Sequence, residues 1–119
     1  MTMKKTNPDF LNGVPELLIL QILNRQPLHG YDLVQAIRQA SGCRLDFGEG
    51  CIYPILHRLE KQEFLSSERV AVGGRTRIVY RVTKQGLKRL EQSRSVWMEI
   101  VTAVSSVLQG GEPDAPKLA

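Results

Sequence analysis

Gly50-Cys51-Ile52-Tyr53-Pro54-Ile55-Leu56-His57-Arg58-Leu59-Glu60-Lys61 reads as an amphipathic helix whose two faces carry different chemistry. Ile52, Ile55, Leu56 and Leu59 recur at i, i+3, i+4 and i+7, the spacing of a stripe that packs on a core. At about 100° per residue the opposite face carries Gly50, Pro54, His57 and Lys61, flanked by Cys51, Tyr53 and Arg58. No acid stands on its centreline. Pro54 lacks an amide hydrogen, so the helix is expected to open near Gly50 or Cys51, leaving Pro54 in the first turn, where amides have no intrahelical partner. A donor-bearing face with free amides at its start suits a polyanion, and the expected partner is double-stranded DNA.

Downstream, Phe64 to Val72 and Arg77 to Val82 have the composition of two strands, with alternation clearest in Ile78, Tyr80 and Val82. Gly73-Gly74 between them permits the positive φ values of a tight hairpin, which puts Gly74, Arg75 and Arg77 at or beside a protruding tip. Charge is concentrated here. Ser66 to Arg94 holds eight bases and two acids, a net +6, while the remainder of the chain is −2. Such a hairpin beside a polar-faced helix is how a winged helix-turn-helix is written, and its cations suit phosphates.

Upstream, Pro15 and Glu16 mark the first turn of a helix that runs to about Arg25. Its run Leu17-Leu18-Ile19-Leu20-Gln21-Ile22-Leu23 is apolar almost all round, so a second surface is expected to cover its far side. Gln26-Pro27-Leu28 breaks the pattern. A second helix follows from about Gly30 to Ser41, with Leu33, Val34 and Ile37 on one face, Tyr31 joining the core, and Gly42 as a left-handed cap. Residues 43–49 form a connector, with a short extended piece expected over Arg44-Leu45-Asp46-Phe47.

Thr83 is a good N-cap for a last helix from Lys84 to about Leu108, ended by Gly110-Gly111. Leu87, Leu90, Arg94, Trp97, Val101, Val104 and Leu108 fall at a and d positions, and all but Arg94 are apolar. A helix of about 37 Å is longer than a domain of this size covers alone, which predicts a homodimer with this helix as its seam. The expected interface comprises Leu17, Leu20, Leu90, Trp97, Val101, Val104 and Leu108. Trp97 has two readings: it packs within the seam, or the two copies flank a cavity and stack on a small aromatic effector, with Arg94 pairing an anionic group on that ligand.

With 119 residues, 42% of them hydrophobic and 24% charged, the chain fits one small domain, mainly α with a small β-hairpin (an α+β fold). The expected organisation is a flexible arm at 1–12, a winged helix-turn-helix at 13–83, a dimerisation helix at 84–109 and a disordered tail at 110–119. The opening residues hold no apolar signal region and Val14 to Leu23 is too short for a membrane span, so a cytoplasmic protein without membrane contact is expected. Cys43 and Cys51 cannot build a disulfide framework, and with His29 and His57 they show no metal-ligand spacing; no cofactor or metal is expected. Cys51 at a helix N-terminus could have a lowered thiol pKa. Ser66 and Ser67 lack a histidine partner and Gly73-Gly74 matches no phosphate-cradling fingerprint, so no enzyme is expected.

Three spaced blocks resemble the PadR family of winged-helix transcriptional regulators: Leu28-His29-Gly30-Tyr31-Asp32-Leu33, then Gly50 to Glu60, then Gly74-Arg75-Thr76-Arg77-Ile78-Val79-Tyr80-Arg81-Val82-Thr83-Lys84-Gln85-Gly86. The resemblance runs from about Leu11 to Leu90. Cys51 stands where the family usually has threonine, Glu63 where it usually has glycine, and Thr76 where proline is common. The resemblance implies a dimeric repressor of the family's short branch, with the helix from Gly50 in the major groove, the wing along the backbone or minor groove, and release by a small molecule or another signal. Tyr53 then reaches a phosphate or base edge while also closing the core, His57 reaches base edges, and Lys61 a phosphate. Arg58 either joins them or is engaged by nearby acids. The alternative function is a winged-helix module that binds a protein through the same face.

Overall fold

The computed structural model describes residues 13–110, and the arm at 1–12 and nearly all of the tail lie outside the described residues. The order of elements is α1 (Val14–Arg25), β1 (Leu28–His29), α2 (Gly30–Ala40), α3 (Glu49–Lys61), β2 (Leu65–Val72), β3 (Arg75–Val82) and α4 (Lys84–Leu108). β2 and β3 form an antiparallel hairpin and β1 pairs with the other side of β3, giving a three-stranded sheet in the order β1-β3-β2. No described helix is long and apolar enough to cross a membrane.

The core is built from the stripes the sequence lays out. Ile52, Leu56 and Leu59 of α3 are fully buried, together with Ile19 and Leu20 of α1 and Leu33 of α2. Leu65 and Tyr80 close the sheet side, and Phe47 of the connector fills in beside them. Burying a leucine or isoleucine side chain contributes about 1.5–3 kcal/mol, so this interlocked set is the main favourable term holding three helices on the sheet.

Several expectations are corrected. Leu20 and Leu90, expected at a subunit seam, are buried within the protomer at 0% and 1% exposure, because α4 packs on α1 and β3, and α1 in turn packs on α2, α3 and β3. Tyr31, expected in the core, is half exposed. Leu28, expected within the break Gln26-Pro27-Leu28, instead opens β1 with His29: Leu28 pairs with Tyr80 and His29 with Val79. No strand forms over residues 44–47. Pro54 lies deeper than the first turn, since α3 begins at Glu49 after the N-cap Gly48. Its missing amide leaves the Gly50 carbonyl without its usual intrahelical donor, at an exposed position where water can reach it.

Two helix ends are closed by the same device. At the end of α2, Gly42 has φ +64° and the amides of Gly42 and Cys43 donate back to the carbonyls of Gln39 and Arg38. At the end of α3, Glu63 and Phe64 donate to Glu60 and Leu59 in the same way, but the left-handed residue is Glu63 at φ +66°. Both are Schellman motifs, and the second lacks its glycine.

The start of α4 is welded to that second turn. The Thr83 hydroxyl donates to the Glu63 carbonyl at 2.7 Å and accepts from the Gly86 amide at 3.0 Å, and the Thr83 amide donates to the Phe64 carbonyl at 3.1 Å. Gly86 is buried directly against the Phe64 carbonyl, where any Cβ would collide with backbone.

Candidate nucleic-acid interface

The outward face of α3 presents Gly50, Pro54, His57 and Lys61, all exposed, with Cys51 and Tyr53 half-buried at its edge. Tyr53 is fixed from behind: a Cβ on Gly30 would stand 2.5 Å from the tyrosine ring, so the absent side chain at the start of α2 is what makes room for it. The His57 ring lies 6.4 Å from the Tyr53 ring, tilted by 50°. Burial, and after it the charge of Glu49, pushes the Tyr53 hydroxyl above its ordinary pKa. It therefore remains a neutral phenol at physiological pH, able to donate to a phosphate or base edge. Burial likewise pushes the Cys51 thiol up, not down as its place near a helix N-terminus suggested.

Arg58 stands apart from this set. It is turned toward α1, where its Nη1 donates to Glu16 Oε1 at 3.1 Å and to Gln62 Oε1 at 3.1 Å. Arg89 of α4 reaches the same carboxylate, its Nε 3.0 Å from Glu16 Oε2, while its guanidinium lies 5.3 Å from the centroid of the Phe64 ring. Glu16 is 8% exposed and so ties α1 to both α3 and α4. The sequence reading assigned Glu16 only to the helix dipole; an isolated acid in an otherwise apolar helical run is the signal that could have pointed to a buried partner.

In the hairpin, Gly73 and Gly74 have φ +54° and +81°, and Val72 pairs with Arg75 across them. Both turn residues have positive φ, the signature of a type I′ turn, whose twist matches the strands it joins. Arg75 is exposed beside the turn. Arg77 is half-buried, with its Nη1 2.9 Å from His29 Nε2. Arg81 is occupied by Glu68, which accepts from its Nε and Nη2 at 3.1 and 2.7 Å. The cations of the wing thus differ in freedom, with Arg75 at the open end and Arg81 already paired.

A groove of about 710 Å³ lies where the start of α1, α3 and the middle of α4 meet. Glu16, Arg58, Arg89, Trp97 and Ile100 are among its lining residues. Arg94, expected beside Trp97, is exposed and does not line it; the cations that do are Arg58 and Arg89. Val96, at the groove, is more than half exposed, and beyond the groove α4 carries further exposed apolar side chains: Met98, Val104, Val107 and Leu108 are each at least half exposed. Leu17 and Val101 are half-buried and Trp97 is 39% exposed.

Residues 19–92 match the family described as "Transcriptional regulator PadR-like family". The chain is 35% identical over 96 residues to the transcriptional regulator Rv3488 of Mycobacterium tuberculosis, spanning 81% of this chain and 87% of that one. It is 36% identical over 85 residues to the transcriptional regulator YqjI of Escherichia coli, where the match covers 71% of this chain and spans only 40% of the relative's length. The structure of a PadR-like transcriptional regulator from Bacillus cereus superimposes with a TM-score of 0.74 at 31% identity, covering 85% of this chain and 97% of that one.

Proposed function

The chain belongs to the PadR-like family of transcriptional regulators, a family of regulators and not of enzymes, and from that premise we propose that it is a dimeric, DNA-binding repressor that works in the cytoplasm. The observation that carries this reading is the pairing of an exposed face on α3, with no acid on its centreline, with a type I′ hairpin that leaves Arg75 without an acidic partner among the described residues. Gly50, Cys51, Tyr53, Pro54, His57 and Lys61 form the reading edge, with His57 placed for base contact and Lys61 for phosphate. In the wing, Gly74 shapes the tip, Arg75 neutralises a backbone phosphate, and Arg77 stands beside it as a second phosphate contact once released from His29. Arg58 acts from behind, orienting α3 through Glu16.

The same division separates a DNA-binding unit at 13–83 from a dimerisation helix at 84–109. Exposed Val104, Val107 and Leu108 support a partner helix along the distal part of α4, with Trp97, Val101 and Leu17 at the nearer end of the seam. A lone protomer would leave that apolar surface in water. Trp97 at the edge of the groove supports binding of a small aromatic effector, with Arg58 and Arg89 as its cationic neighbours.

Footprinting of the full chain on its own upstream DNA tests the reading. Two half-sites related by a two-fold axis are expected, with affinity falling steeply as salt rises. His57→Ala should weaken that site more than random DNA, whereas Arg75→Ala should weaken both alike. Affinity indifferent to salt and equal for all sequences would remove the DNA reading. For the effector, saturable quenching of Trp97 fluorescence by planar compounds that release DNA is expected, and its loss in Trp97→Ala.

A further inference from the structure

We propose that His29 is a positioning residue for the wing: its neutral ring holds Arg77, and on protonation the ring turns that nitrogen over to Asp32 and frees Arg77 for a DNA phosphate. The inference rests on the phosphate-contacting role of the wing proposed above. One ring nitrogen is contested by two groups. His29 Nε2 lies 2.9 Å from Arg77 Nη1 and 2.9 Å from Asp32 Oδ2. A neutral imidazole with its hydrogen on Nδ1 offers a lone pair at Nε2, which only the arginine can use, since guanidinium is always a donor. A protonated ring offers N–H at the same place, which only the carboxylate can accept, and its charge repels the guanidinium. The two arrangements exclude each other.

The fold places these groups together. His29 pairs with Val79 across β1 and β3, and Arg77 stands two residues along β3 on the same face of the sheet. Asp32 comes from the first turn of α2, one helical turn beyond His29. Arg77 Nε is buried without a partner, so the grip on this guanidinium rests on Nη1, and letting go returns Nε to water. β1 packs on β3 and α2. From β3 the other cations on this face are Arg75, exposed beside the turn, and Arg81, held by Glu68 of β2; from α2 the next charge is Arg38, two turns further on; Tyr80 lies on the other face, opposite Leu28. Tyr53 of α3 meets Gly30, the residue after the histidine.

The test uses the full chain and a random-sequence DNA duplex, because a phosphate contact does not depend on sequence. From about pH 8 to about pH 5.5, the slope of log affinity against log salt should steepen by about 0.9 for each arginine released. His29→Gln, which keeps an acceptor for Arg77 but cannot take the proton, should retain the slope measured at pH 8 and lose the steepening. Arg77→Gln should lose it too, while His57→Gln should retain it. Full steepening in Arg77→Gln would overturn the proposal, because the added contact would then come from another group. In the DNA-free protein, the Arg77 guanidinium resonances should move in step with titration of the His29 ring, and static resonances would also overturn it. Resonances that move while the salt slope stays constant would instead overturn the wing's phosphate role and leave the His29 contact standing. Circular dichroism of each variant separates these outcomes from loss of fold.

Discussion

Tyr53 lies so close to Gly30 that a Cβ on the glycine would be 2.5 Å from its ring, which makes the glycine and the tyrosine a single joint between the start of α2 and the outer face of α3. Gly30→Ala should therefore push the ring off its seat, at a cost of about 1–3 kcal/mol from overpacking. Tyr53→Phe keeps the ring and removes the hydroxyl; it should leave the melting temperature nearly unchanged and weaken DNA binding. Thermal melts of both variants with parallel DNA titrations check this: the first moves chiefly stability, the second chiefly affinity.

Alkaline pH should unfold the protein earlier than its core suggests. Burial raises the pKa of Tyr80, with Glu60 and Tyr53 adding to it, and burial with Glu49 raises that of Tyr53. In an unfolded chain both phenols ionise near their ordinary value of about 10, while in the fold they keep their protons longer. Above that pH the native state binds more protons than the unfolded one, so stability falls as pH rises toward the folded-state values, and is fully present below about 10. Denaturant midpoints between about pH 9 and 11 should decline, with a shallower decline in Tyr53→Phe.

Glu63→Gly should stabilise the protein by about 1 kcal/mol. Glu63 occupies the left-handed position of a Schellman turn at φ +66°, a conformation that costs an L-residue roughly 1–2 kcal/mol and glycine almost nothing. Glu63→Ala, which keeps the Cβ, should bring no such gain. Comparing the two by denaturant unfolding isolates the backbone effect from loss of the charge.

Glu16→Gln should destabilise by about 1–2 kcal/mol, less than the loss of a fully buried pair, because Arg58 and Arg89 are 46% and 42% exposed and can turn to water. A double-mutant cycle with Arg58→Gln should return a coupling energy, and the same cycle with the distant Arg75→Gln should return none.

Val104→Glu should weaken self-association without unfolding the winged domain. Val104 is half exposed on the distal part of α4, away from the core, so the substitution places a charge only where a partner helix is expected. Sedimentation at several protein concentrations checks the first effect and circular dichroism the second. A monomeric wild type would refute the dimer.

What could be read from the chain was what repeats locally. Of the stripe Ile52, Ile55, Leu56 and Leu59, three are fully buried and Ile55 packs partly buried at the edge, Gly73-Gly74 makes the positive-φ turn, and Gly42 caps α2. What could not be read depends on partners far along the chain. Glu16 meets Arg58 and Arg89 across 42 and 73 residues, and nothing in its local pattern names either partner. β1 is two residues long, with no periodicity of its own, and exists because β3 offers it an edge. Leu90 satisfies both a heptad seam and a protomer core, and only the crossing of α4 over α1 decides for the core. Pro54 points to a start near Gly50 or Cys51, one or two residues late, because Gly48, without a capping side chain, starts α3 at Glu49, earlier than any capping signal marks.

The joint of Thr83, Gly86 and the Phe64 carbonyl makes the long helix a lever with no play at its root. Over the 25 residues of α4, about 37 Å at 1.5 Å per residue, a tilt of only 5° at the root displaces the far end by about 3 Å. Run in the other direction, an effector of the kind proposed that shifts the distal half of α4 by the width of one side chain would turn the hairpin and α3 with it. In the proposed dimer the turn after α3 would then serve as gearing, converting spacing between two helices into the angle at which α3 meets its groove.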